Sequence, residues 1–286
     1  MKKIIFVFFV FLTLRTESYS DITLNTDFTY GKYDYKKYYF SLEFSTGDYY
    51  ITPSYSSYSS DLLYSRKELS LKAGYENEEF KISADLGYTP ESDGYSSYSF
   101  GLDICYFLEN TDKTSVGIGA FINYTLNKDS YLISTTTYSS GKKSKPNSFT
   151  KTSEYELGEK EIGIYMENSY KSVGLDLSYS KTTYSDPIDS SKRPIQKSIT
   201  SSFITEGYID KTYSVGVWIN VLKDLKLKSD YSLSEYVSSD KGIKSLSFEI
   251  QKDLGSFSLG ISYETDKDDY YDETEELYGS SLSIYF

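Results

Sequence analysis

The chain has 286 residues, a formal net charge of −12, 33 Tyr, 16 Phe, one Trp, one Cys and no His. An acidic chain is a poor nucleic-acid binder, because that affinity comes from neutralising phosphates. Without histidine, imidazole general bases, histidine-dependent triads and most zinc sites are excluded, and the lone Cys105 cannot form an internal disulfide. No phosphate loop, cofactor motif or carboxylate spacing points to catalysis, so neither an enzymatic role nor a cofactor is expected.

Met1, Lys2 and Lys3 form a short basic segment, followed at residues 4–14 by an apolar run broken only by Thr13. Ser18 and Ser20 are small residues at the −3 and −1 positions of a cleavage site before Asp21. This layout predicts a secretory signal peptide over residues 1–20, leaving one domain over residues 21–286. The apolar run is far shorter than the roughly 20 residues that a membrane helix needs. Mean hydropathy is −0.47. That average would fit a soluble chain, but a lipid-facing residue alternating with a lumen-facing one gives the same value.

Beyond residue 20, apolar residues recur at every second position. Val116, Ile118, Ala120, Ile122, Tyr124 and Leu126 alternate with Ser115, Gly117, Gly119, Phe121, Asn123 and Thr125. The same rhythm predicts strands near 21–30, 37–45, 49–58, 67–75, 80–89, 96–107, 114–126, 156–167, 170–180, 208–221, 225–236, 243–251, 256–264 and 277–286. That makes about 14 strands, with 12 or 16 as alternatives, and residues 198–207 extend an outside loop or the rim of the tenth strand. Short connections near 46–48, 76–78, 168–169, 222–224 and 252–255 alternate with long ones at 128–155, 181–207 and 265–276. Short turns on one side and longer loops on the other are the pattern of a transmembrane antiparallel up-and-down β-barrel. Closure follows physically, since an open sheet in hydrocarbon would leave backbone groups unpaired. Fourteen strands about 4.8 Å apart and tilted near 40° close at a backbone radius of roughly 14 Å, wide enough for a watery pore unless a loop fills it.

Parity assigns the lumen side. Asp27, Glu43, Glu68, Asp85, Asp103, Glu161, Asp176, Asp230 and Glu249 point in, with Lys72, Lys81, Lys226 and Lys228. An excess of carboxylates predicts mild cation preference if these charges stay unpaired, and only a held-open wall if they pair across strands. Residues 265–276 carry Asp266, Asp268, Asp269, Asp272, Glu273, Glu275 and Glu276, and read as a solvated loop rather than a calcium loop. Residues 128–155 carry Lys142, Lys143, Lys145 and Lys151, and read as a polar outside loop within reach of lipopolysaccharide phosphates.

At the chain's end Tyr278, Leu282, Ile284 and Phe286 share one parity, and the terminal carboxylate sits on Phe286. This final strand resembles the carboxy-terminal assembly signal of Gram-negative outer-membrane β-barrel proteins, and the whole chain after residue 20 resembles the porins among them, closest in size to monomeric fourteen-stranded ones. The resemblance implies a cell outer-membrane location after export through the inner membrane, contact with lipid and lipopolysaccharide, insertion by the barrel-assembly machinery with periplasmic chaperones, and passive diffusion of small hydrophilic solutes. Monomer and trimer both remain open. Oligosaccharide-type porins line their pores with arginine, whereas Arg66 and Arg193 are the only two arginines after residue 20. The other reading open to such a barrel is a plugged lumen, with surface loops serving adhesion or antigenic display.

Overall fold

The computed structural model describes residues 21–60, 63–92, 94–111, 113–137, 147–186, 208–237, 239–269 and 272–286. The signal segment 1–20, residues 198–207 and Lys142, Lys143 and Lys145 lie outside these. Fourteen strands follow in order: β1 Asp21–Gly31, β2 Lys36–Thr46, β3 Tyr49–Ser60, β4 Leu63–Glu76, β5 Phe80–Ser92, β6 Tyr95–Asn110, β7 Thr114–Thr137, β8 Asn147–Tyr170, β9 Val173–Tyr184, β10 Ile209–Leu222, β11 Leu225–Tyr236, β12 Ser239–Asp253, β13 Phe257–Asp268 and β14 Glu273–Tyr285. Each pairs antiparallel with its sequence neighbours, and β1 pairs with β14. The barrel is therefore closed, and the Phe286 N–H donates to the Ile22 carbonyl at 2.9 Å just beyond the last strand. Asp21 and Phe286 lie at one end of the barrel, called here the terminal end.

Side chains sort by parity as the alternation predicts. Ile82, Leu86, Leu102, Ile104, Ile118, Ile164, Val217, Ile250 and Ile261 are exposed on the outer wall. Aromatic pairs bound this apolar band. Towards the far end stand Phe28–Tyr38, Tyr88–Tyr98, Tyr179–Tyr213 and Tyr263–Tyr278, with ring centroids 4.9 to 5.4 Å apart. Towards the terminal end stand Tyr49, Tyr75 and Phe80. From Phe80 to Tyr88 the strand advances eight residues, or about 27 Å, which a 40° tilt reduces to about 20 Å. That is close to the ~25 Å apolar band of outer-membrane barrels, flanked by aromatic girdles whose rings favour the boundary between lipid and water.

Three sequence expectations change. The eighth strand continues through Asn168 and Ser169 to Tyr170, and the turn is Lys171–Ser172, where Lys171 takes φ 56°. Residues 128–155 are largely strand rather than loop: β7 and β8 stay paired from Ser130↔Glu154 to Thr137↔Asn147, beyond the last pairing of β6 at Tyr95↔Asp129. This two-stranded ribbon adds eight residue pairs, roughly 27 Å of extended chain. Residues 265–276 likewise belong mostly to β13 and β14, paired from Thr265↔Glu276 to Asp268↔Glu273. Cross-strand hydrogen bonding tolerates Ser, Thr, Tyr and acidic residues on the sheet, so polarity alone does not mark a loop.

Candidate functional site: the lumen wall

The wall is built so that large inward rings do not fill the bore. Tyr50, Phe121, Tyr165 and Trp218 each stand directly opposite a glycine on the neighbouring strand: Gly74, Gly163, Gly119 and Gly174. Each ring lies against its glycine so closely that a Cβ there would collide with it. Flat-lying rings cover backbone and leave the axis to smaller side chains, the aromatic rescue of glycine used in sheet construction. The remaining inward positions are mostly Ser, Thr, Asn and Gly, including Ser54 and Ser70 at 2.5 Å and Ser178 and Ser214 at 2.6 Å.

Every charged residue assigned inward by parity stands on the lumen face. Lys72, Asp85, Gly101, Asn123 and Glu161 form one cross-strand row. Within it the Asn123 amide donates to Glu161 at 3.1 Å. A second group surrounds Cys105. Lys81 reaches Glu76 at 3.7 Å, the Tyr165 hydroxyl donates to Asp103 at 2.9 Å, and the Cys105 thiol faces Glu167 at 3.8 Å. These last two contacts bridge strands two apart, which only the concave face permits. On β11, Lys228 pairs with Asp230 at 3.1 Å, Lys226 sits 4.7 Å from the Trp218 ring, and Asp176 faces both lysines. Glu43 stands opposite Thr23, and Glu68 reaches towards Gly87. Asp27 and Glu249 share a recess with Lys37 and Tyr39. Of the four lysines assigned inward, Lys81 and Lys228 form ion pairs within the described residues. Neutralisation across the wall is therefore partial.

The far end differs from the middle. Tyr35 in the β1–β2 turn packs with Tyr58 and Leu277. On the opposite arc Tyr95 and Leu157 pack with Tyr155, Tyr184 and Tyr208. Arg66 joins the two: its guanidinium lies 4.0 Å from the Tyr95 ring and donates to the Tyr58 hydroxyl. Also buried at this end is Tyr236, whose hydroxyl donates to Asp268 at 2.7 Å. These inward side chains are buried, with Leu157 at 0%, Tyr35 at 1% and Tyr236 at 5% exposure, while Asp27 and Ser262 in mid-barrel are exposed. Burial pushes the Tyr35 phenol above its ordinary pKa. These side chains form a buried tyrosine collar on the inward face of the far end. Asp266, Asp268 and Glu275 are buried on the inward face beside it, which corrects their reading as a solvated loop.

Sequence reasoning missed Lys37, Arg66, Glu167, Trp218, Glu264 and the collar. Parity held the signal for four of them: Lys37 shares the face of Tyr39 and Ser41, Glu167 that of Glu161, Trp218 falls between outward Val217 and Ile219, and Glu264 follows outward Tyr263. The collar had none, since tyrosine suits either face.

No protein-family model and no curated protein matches the sequence. The fold does have counterparts among solved structures. The CymD monoaromatic hydrocarbon channel superposes with a TM-score of 0.53 at 13% identity, covering 93% of this chain and 87% of that one. CdiB from Acinetobacter baumannii gives 0.50 at 8% identity, covering 93% of this chain and 60% of its own. The outer membrane protein OprD from Pseudomonas aeruginosa gives 0.44 at 10% identity, covering 93% of each. The closed antiparallel barrel is thus a fold shared with the CymD channel.

Proposed function

We propose that the chain is an outer-membrane channel through which small hydrophilic solutes and ions diffuse passively, with mild cation preference. The observation that carries this reading is the division of the wall: an apolar band between aromatic belts outside, and inside a hydroxyl-lined bore whose large rings lie flat over glycine. The terminal end faces the periplasm and the collar faces outward. Residues 1–20 direct export and are then removed. Tyr278, Leu282 and Ile284 on the outer face of β14, with Phe286 just beyond it, serve recognition by the assembly machinery. Inward carboxylates outnumber inward amines, and fixed charge on a pore wall sets ion preference. The test is single-channel recording of the refolded protein in a planar bilayer: discrete steps are expected, and a folded but silent barrel would contradict a pore.

A second reading rests on the β7–β8 ribbon. It projects beyond the rim with backbone edges that β6 and β9 do not cover, and exposed strand edges invite partners. In that case the barrel is an anchor and the ribbon serves adhesion or display. Joining Ser130 to Ser153 discriminates: surface binding would be lost with conductance unchanged or raised.

A further inference from the structure

We propose that the recess between β1, β2, β12 and β14 is a binding station for small organic cations bearing an ammonium group. The inference rests on the channel reading above, since the recess opens to the lumen.

The recess, about 410 Å³, exists because its floor is small. Ser262 and Gly260 on β13 face Gly279 and Ser281 on β14, so the wall between β12 and β1 carries almost no side chain. Two carboxylates converge over that floor from opposite sides. Glu249 on β12 extends across β13, and its Oε1 lies 3.4 Å from where a Cβ of Gly260 would stand. Asp27 on β1 lies opposite Tyr39 of β2 and repels Glu249 electrostatically. The cation directly across from Glu249 is Lys228, which turns instead to Asp230 at 3.1 Å. Lys37 attracts Asp27 from the next row, yet neither Asp27 nor Glu249 makes an ion pair among the described residues.

The lining therefore holds two carboxylates and one amine. A ligand with one positive charge completes the pairing and relieves the repulsion between like charges. A bare metal ion does not match the remaining chemistry. The volume falls in the range of small-molecule sites. Tyr39 also lines the recess, and an aromatic ring attracts a cation. Ser262 and Ser281 add hydroxyls for the other N–H donors. The expected ligand is a primary amine on a short carbon chain.

The test is titration calorimetry of the folded barrel in detergent micelles with butylammonium, against butanol, butyrate and Ca²⁺. Butylammonium is expected to bind saturably and the others not. The double substitution Asp27→Asn with Glu249→Gln should weaken it by about tenfold or more, Lys37→Gln should tighten it, and Glu79→Gln in a terminal-end turn should change nothing. Circular dichroism confirms folding, and the opposite signs expected for the carboxylate and Lys37 substitutions exclude mere unfolding as the cause. Equal binding of butylammonium and butanol, indifference to the double substitution, or binding of Ca²⁺ alone would overturn the proposal. Conductance of the same samples reports on the pore separately: a conducting barrel without amine binding refutes the station and keeps the channel. Amine binding by a silent barrel does the reverse.

Discussion

Four inward aromatic rings, Tyr50, Phe121, Tyr165 and Trp218, rest on cross-strand glycines, and this pairing keeps the bore open. Gly119→Val should lift the Tyr165 ring, break its hydrogen bond to Asp103, destabilise the barrel by about 1–3 kcal/mol through overpacking and lower conductance. Urea unfolding in micelles and bilayer recording check both, and an unchanged midpoint with unchanged conductance would contradict the packing account. A second residue-scale prediction concerns a turn at the terminal end. The Lys252 ammonium hydrogen-bonds Asp224 and holds its carboxyl below the ordinary range. A carboxyl depressed in the folded state contributes stability above its unfolded pKa of about 4 and loses it as pH falls through the folded value. The pair is fully exposed, so the readout is titration rather than melting. Lys252→Ala should move the Asp224 titration, followed by NMR, up towards its ordinary value. Parity made Asp27, Lys72, Asp176 and Lys228 legible as lumen residues from the sequence. It did not reveal that Asp27 and Glu249 approach one another, because that depends on β13 and β14, the two strands between them, and on how small their inward side chains are.

At the scale of elements, all fourteen strands were legible because the outer wall is apolar and the inner wall polar, which enforces strict alternation. Their ends were not. Beyond the apolar band both faces of a strand are polar, so β7, β8, β13 and β14 run on where periodicity fades, and the ribbon and the acidic rim were read as loops. The inside–outside assignment has a direct test in depth-dependent energetics. Ile104→Arg, in the middle of the outer band of β6, should destabilise the barrel in lipid vesicles by about 2–4 kcal/mol, whereas Ser232→Arg on the lumen face of β11 should cost little. Similar losses at both positions would contradict the assignment. Among the described residues, tyrosines of both kinds occur. Those at Tyr88, Tyr98, Tyr213 and Tyr278 face outward in the belt, and those at Tyr58, Tyr95 and Tyr236 face inward in the collar. Composition predicted the first set and concealed the second.

For the whole molecule, the lumen is asymmetric: hydroxyls and partly paired charges line the middle, and the buried tyrosine collar with Arg66 stands at the far end. If the collar limits flow, Tyr95→Ser with Tyr236→Ser should raise conductance while leaving ion preference to the carboxylates below. The central claim is that this wall encloses a working, cation-preferring pore. Its most direct test is single-channel recording of the refolded chain across a planar bilayer, with the reversal potential taken under a salt gradient. Discrete steps with a reversal potential on the cation side are predicted. A heat-modifiable, fully folded barrel that passes no current, or one that prefers anions, would contradict it.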